Sequence, residues 1–170
     1  MATLKTYSPE NVMILIAGVY RLEGLMAGSF LTISKNSPIA VAERTADGTV
    51  ARLINKDDSY SVAITLTSTT EANDFLTKLA LIDRATNKGI FPIFIKDTTG
   101  SSMFFSPSAW IEVVPDQEFA DEITPRVWIF RATQCVENIG SNGEESELLE
   151  DIFNLVSGAA PAYLDLVGGR

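Results

Sequence analysis

The sequence predicts a mainly β, α+β fold: a β-sandwich or partly closed β-barrel with one flanking α-helix, a projecting β-hairpin and a C-terminal helical extension. Three observations carry this prediction. Apolar and polar residues alternate with period two over several stretches of strand length, most strictly in Tyr60-Ser61-Val62-Ala63-Ile64-Thr65-Leu66-Thr67. Ahead of the C-terminal segment, one stretch alone, from Ala72 to Ile82, repeats its apolar residues at helical spacing. Turn signals such as Asn36-Ser37-Pro38 and Asp47-Gly48 separate the alternating stretches. At 170 residues, 46% hydrophobic and 21% charged, the chain is too apolar for disorder. A chain of this length forms one core that buries about 70% of its unfolded surface.

The elements follow in order. Val12-Met13-Ile14-Leu15-Ile16-Ala17-Gly18-Val19 is a continuous apolar run, expected to form a strand covered on both faces. A second strand is predicted over residues 29–34, where Leu31 and Ile33 alternate with polar neighbours. Residues 39–54 form two short alternating segments around Asp47-Gly48, the dipeptide of a two-residue type I′ loop. With that loop, Thr45 faces Val50, Glu43 faces Arg52 and Val41 faces Ile54, giving one ion pair and one apolar pair on the same face. That face is too polar for a core strand, so the hairpin is expected to project and to dock on something. The strand at residues 60–67 has a small, neutral second face, expected to be covered or to line a channel.

Ser68-Thr69-Thr70-Glu71 fits the capping box, and Ala72, Phe75, Leu76, Leu79 and Ile82 form the helix stripe that follows. Asn87-Lys88-Gly89 supplies the stop. Residues 90–96 and 102–106 read as a hairpin, residues 109–114 as another strand, and residues 126–136 as a long closing strand. Beyond Gly143, Glu144, Glu145, Glu147, Glu150, Asp151 and Asp165 face only Arg170, so this short segment holds more than half of the net charge of -9. Leu148, Leu149, Ile152, Phe153, Leu155 and Val156 give it an amphipathic helical pattern. The chain thus divides into a β domain, residues 1–140, and an acidic extension, residues 141–170.

Composition removes several function classes. An excess of 22 acidic over 13 basic residues is the wrong sign for gripping phosphates. The chain has no histidine, which takes away the commonest general base and most zinc sites. Cys135, the one cysteine, is expected to be a small core or strand residue. No Gly-rich nucleotide loop, nucleophile elbow or cysteine pair is present. Asp116, Glu118, Asp121 and Glu122 are expected in a solvated loop, and Asp57-Asp58 and Asp97 in turns rather than calcium sites. Trp110, Trp128, Phe104, Phe105 and Phe130 are expected in the core rather than on a stacking platform. No signal peptide is evident and the N-terminal apolar run is too short to cross a bilayer, so a soluble chain made in a cytoplasm is expected. Neither enzyme chemistry nor a cofactor is predicted.

From Lys5 to about Asn138 the chain resembles the tail tube proteins of contractile-tailed bacteriophages. The opening Lys5-Thr6-Tyr7-Ser8-Pro9-Glu10-Asn11-Val12, Ala46-Asp47-Gly48 in the hairpin, and Ser59-Tyr60-Ser61-Val62-Ala63-Ile64-Thr65-Leu66 carry the likeness. Asn73-Asp74-Phe75-Leu76, Phe94-Ile95-Lys96-Asp97 with Gly100, Ala109-Trp110-Ile111-Glu112 and Val127-Trp128-Ile129-Phe130 follow in order. The resemblance implies a virion protein of hexameric rings, stacked into an inner tube through which double-stranded DNA passes without being bound. Implied partners are other copies of the chain and the tail sheath, tape measure, baseplate and tail terminator proteins, with no membrane anchoring. Assembly is implied in the host bacterial cytoplasm. Val41, Glu43, Asp47, Gly48 and Arg52 are then the candidates for contacts between rings. Leu149, Ile152, Phe153 and Val156, in the extension that shorter members lack, are candidates for a clamp on a neighbouring subunit; decoration facing the sheath and cover for a sticky edge are its other possible uses. Two further readings remain open: the tube subunit of a headless contractile particle, and a monomeric small-molecule-binding β-barrel with Trp110 and Trp128 in its cavity.

Overall fold

The computed structural model describes residues 7–140. The extension, with Leu149, Ile152, Phe153 and Val156, lies outside the described residues. Alternation in the sequence becomes alternation in burial, because successive Cβ atoms leave a strand on opposite sides. In β1 (Val12–Ile16) Ile14 and Ile16 are sealed from solvent. The same holds for Val62, Ile64 and Leu66 in β6 (Tyr60–Thr67) and for Trp128, Phe130 and Ala132 in β9 (Pro125–Thr133). With Phe91, Ile93 and Ile95 of β7 (Phe91–Asp97) they form one apolar core.

The first strand is shorter than predicted. Ala17 and Gly18 both adopt left-handed backbone, φ 56° and 73°, and turn the chain into β2 (Tyr20–Arg21), leaving Val19 84% exposed. Met13 and Leu15 are half-buried, so β1 is covered mainly on one face.

With β3 (Leu31–Lys35), β8 (Met103–Val113) and β10 (Val136–Asn138), these strands form an eight-stranded antiparallel sheet. Its order is β2-β1-β7-β8-β9-β6-β3, with β10 alongside the start of β8. The two ends of this order are not paired with each other, so the sheet is open and sandwich-like rather than closed into a barrel. Its curl is visible in ring contacts between strands two places apart. Phe91 meets Phe130 edge-on at 6.2 Å, and Tyr60 meets Phe104 at 5.5 Å.

The bending strand is β8. Sequence predicts two strands here, but one runs through, with Pro107 inside it. The register slips by a residue where Pro107 and Ser108 lie opposite Pro92 of β7, a place where neither proline has an N–H to lose. A second slip occurs around Glu112, against β9. Two bulges in one strand add local twist and carry the sheet over its own core.

The helix α1 (Ala72–Thr86) covers that core beside β9 and the β1–β2 turn. Ala72 and Leu76 are buried, Phe75 stacks on Tyr20 with centroids 3.9 Å apart, and Asn73 Oδ1 accepts the indole N–H of Trp128 at 3.0 Å. The predicted capping box does not form. Glu71 is already helical in backbone and neither it nor Ser68 makes a side-chain cap. Thr70 Oγ1 instead donates to Glu23 O at 3.0 Å and accepts the Ala72 N–H at 3.4 Å, tying the helix start to the loop before β3. The predicted stop is present: Asn87 is left-handed at φ 54°, and Asp83 accepts the N–H of Asn87 at 2.7 Å and of Gly89 at 2.9 Å. Ile82, the last residue of the predicted stripe, is 51% exposed rather than buried.

Candidate assembly surfaces

Strands β4 (Ala40–Arg44) and β5 (Val50–Ile54) pair only with each other, in a sheet separate from the body. Four of the five residues of each strand are exposed, among them Val41, Val50, Leu53 and Ile54. The predicted hairpin therefore exists and projects.

Its register differs from the prediction by one residue. Arg44 faces Val50, Glu43 faces Ala51, Ala42 faces Arg52 and Val41 faces Leu53. The cause is the loop. Thr45 N–H donates to Thr49 O at 2.9 Å and Gly48 N–H to Thr45 O at 3.0 Å, so Ala46, Asp47 and Gly48 form a three-residue loop, with Gly48 left-handed at φ 89°. A slip of one residue turns a strand over relative to its partner. Glu43 and Arg52 thus lie on opposite faces, and the expected ion pair is absent. One face carries Val41, Leu53 and Glu43; the other carries Val50, Ile54, Arg44 and Arg52.

Both ends of the hairpin are held by carboxylates. At the tip Asp47 Oδ1 accepts the Thr49 N–H at 3.1 Å, the Thr49 hydroxyl at 2.8 Å and the Thr45 hydroxyl. These bonds, Thr45 first, hold the Asp47 carboxyl down at about 2. At the base Asp57 accepts the Ser37 hydroxyl at 2.6 Å and the Ser59 N–H at 3.0 Å, and these donors likewise lower it to about 2. Lys35 Nζ donates to Asp57 O at 2.9 Å and Asn36 Nδ2 to Ser59 Oγ at 2.9 Å. The hairpin is thus a fixed arm, with Val41, Glu43, Asp47, Gly48 and Arg52 all on it.

Two further surfaces carry exposed large apolar residues, and of these only Ile82 belongs to the helix stripe that the sequence predicts. In the acidic loop after β8, Phe119 is 89% exposed and lies 6.0 Å from the Arg126 guanidinium, which donates to the carbonyl oxygens of Asp116 and Glu118. On α1, Leu81 and Ile82 face outward. Phe119 and Ile123 stand out in the sequence as large apolar residues inside an acidic run, which is the signal that locates the first.

The remaining chemistry is structural. Among the described residues no cluster of His, Cys, Asp or Glu is placed to hold a metal, and no helix is long and apolar enough to cross a membrane. Asp57 and Asp97 form turns as predicted, Asp97 accepting the Thr99 N–H at 3.0 Å. Cys135 is half-buried and its thiol is pushed up to about 11, chiefly by burial, away from nucleophilic reactivity. Trp128, Phe104 and Phe130 are core residues as predicted, whereas Phe105 is 37% exposed and Trp110 half-buried. An open cleft of about 620 Å³ between the residues before β1 and the loop before β3 is lined by Pro9, Leu22, Leu25 and Phe30, with no tryptophan.

No family model matches the chain. Its fold is similar to chains in several solved particles. The anti-feeding prophage cap, a tube-terminating cap, matches with TM-score 0.56 at 11% identity, over 81% of this chain and 94% of that one. A native gene transfer agent virion matches with TM-score 0.55 at 11% identity, over 78% and 99%. The sheath/tube terminator of an extracellular contractile injection system, in its extended state, matches with TM-score 0.52 at 13% identity, over 81% and 99%. Likenesses at such low identity concern the fold. In sequence, the chain is 30% identical over 153 residues to structural protein ORF10 of Pseudomonas phage KPP10, covering 86% of this chain and 88% of that protein. A shared sequence over nearly the full length of both places the protein, on kinship rather than on fold alone, in the family of phage structural proteins that includes structural protein ORF10 of Pseudomonas phage KPP10.

Proposed function

We propose that the chain is the subunit of the inner tube of a contractile tail, forming hexameric rings that stack into the conduit for phage DNA. The observation that carries this reading is the β4–β5 arm. Val41 and Leu53 on one face and Val50 and Ile54 on the other are exposed on a hairpin braced at both ends. Apolar residues held out from the body on a stiff arm suit contact with a second copy.

Other features agree. The unpaired sheet edges at β2 and β3 offer N–H and C=O groups for strand pairing between subunits. The outer face of β6 presents Ser61, Ala63 and Thr65, small and uncharged, and the net charge of -9 repels phosphate, as a conduit requires. On this reading the sheath lies outside, the tape measure protein inside during assembly, and the baseplate and terminator proteins at the ends. Val41, Asp47, Gly48 and their strand neighbours would meet the next ring, and assembly would take place in the host cytoplasm. The ligand-binding barrel is disfavoured because Trp128 is sealed in the core and hydrogen-bonded to Asn73.

A terminator or cap is the second reading, favoured by the likeness to a tube-terminating cap and to a sheath/tube terminator. Electron microscopy of the purified chain over a concentration series, with and without isolated tails as templates, separates the two. Long hollow tubes are expected for a tube subunit. Single rings that bind tail ends and never stack would identify a terminator. A monomer under every condition would overturn both readings.

A further inference from the structure

Strand β3 ends the sheet order, and its outer edge has no partner strand among the described residues. Thr65 N–H donates to Phe30 O at 2.8 Å and Asn36 N–H to Ser59 O at 3.1 Å, so within β3 it is Thr32 and Ser34, in step with these two, that bond across to β6. In an antiparallel pair the intervening residues turn their N–H and C=O away from the partner. Leu31, Ile33 and Lys35 therefore point theirs out of the sheet. Beside this edge lies a groove of about 320 Å³, walled by Val12, Leu31, Ile33, Ile95, Met103 and Phe104. The charged residues that line it are both acids, Asp97 and Glu137.

We propose that this edge is the docking site for residues 2–6 of the same chain, added as a strand antiparallel to β3 with Leu4 in the groove. Position chooses the segment. Tyr7 already lines the groove, so residue 6 starts at its rim with no distance to cover. Ser8, Pro9 and Glu10 line the neighbouring cleft with Gly28 and Phe30, whereas Tyr7 lines the groove with Leu31 and Ile33. Followed backwards from Glu10, the chain moves along β3 towards Lys35, and its continuation runs antiparallel to that strand. Ala2-Thr3-Leu4-Lys5-Thr6 has the five-residue length of β3 and, with Leu4 inward, leaves Thr3 and Lys5 on the solvent side. Charge decides between the two ends of the described chain. Ile139 also lines the groove, but the segment beyond it brings Glu144, Glu145 and Glu147 towards two acids, while residues 2–6 bring Lys5 and no acid. The tether at Tyr7 gives this segment a local concentration on the order of millimolar, ahead of a second copy in dilute solution. The inference stands apart from the self-assembly reading but qualifies it: a neighbour pairs at β3 only by displacing this segment.

Amide exchange on the full chain, diluted below the concentration at which it associates, tests this. The N–H groups of Thr32 and Ser34 are bonded to β6 with or without the segment; those of Leu31, Ile33 and Lys35 are covered only with it. Protection at all five is expected in the full chain. Deleting residues 2–6 is expected to speed exchange at 31, 33 and 35 by about tenfold or more while sparing 32 and 34. Equal, fast exchange at the three in both chains would overturn the docking, and protection that grows with concentration would overturn the same chain as donor. Should the shortened chain lose protection at 32 and 34 as well, a disulfide trap in the full chain decides. In a Cys135→Ala background, Thr3→Cys is paired with Ser34→Cys, and separately with Thr32→Cys to cover a shift in register. Oxidation is expected to close the bond within single chains. Cross-linked dimers would overturn the assignment in favour of a second copy, and no bond from either pair would overturn the docking. Both readouts come from the unassembled chain, so a failure to form rings would overturn the tube reading alone.

Discussion

Gly48 is the residue on which the arm turns. Its backbone is left-handed at φ 89°, and a Cβ there would meet nothing within 4 Å, so the penalty for replacing it is conformational rather than steric. A β-branched side chain resists that backbone at a cost of about 1–3 kcal/mol. Because the arm is a separate sheet, the cost falls on the arm and not on the core. Gly48→Val is therefore expected to unfold at the same temperature as the parent in calorimetry but to fail to stack in electron microscopy, while Gly48→Asn keeps partial stacking. The carboxylates beside it give a pH signature. Asp47 and Asp57 are held at about 2 against an ordinary 3.8, so each stabilises the arm fully above about 3.8, and the benefit disappears as pH falls through about 2. Amide exchange should show the Thr49 and Ser59 N–H groups still protected at pH 4 and released as pH approaches 2. Loss of protection already at pH 5 would contradict these bonds.

Elements show which sequence signals suffice and which do not. The eight alternating residues of β6 match the strand end to end, because one buried face fixes every second side chain. The hairpin was legible as a hairpin, yet its register was not: Asp-Gly serves two-residue and three-residue loops alike, and Thr45 hydrogen-bonding to Thr49 decides between them. The consequence is testable. Since Glu43 and Arg52 face opposite ways, Glu43→Arg combined with Arg52→Glu should show additive effects on assembly in a double-mutant cycle. A coupling of about 0.5 kcal/mol or more would mean that the two meet after all, within a hairpin or between copies. The helix start was misread for a related reason. Ser68-x-x-Glu71 has the letters of a capping box, but Ser68 N–H is engaged with Thr124 O and the chain turns again at Thr70 before the helix begins.

For the whole molecule, the fold class and most core residues could be read from period and spacing, and strand order could not. Neighbours such as Ile64 and Trp128 are brought together across a long stretch of chain by tertiary packing, which no local pattern records. The outward face of α1 escaped the sequence for the opposite reason: Ile82 continues the apolar stripe in spacing but is 51% exposed, and spacing alone does not say how far along a helix the core extends. The placement of the two tryptophans has a use of its own. Trp128 is sealed under α1 with its indole N–H engaged, while Trp110, beside Arg131 on the other side of the sheet, is half-open to solvent. The folded chain thus carries one fluorophore shielded from a collisional quencher and one within its reach. Trp110→Phe leaves an emission that reports only on unfolding, and the difference from the parent reports on whatever covers that surface.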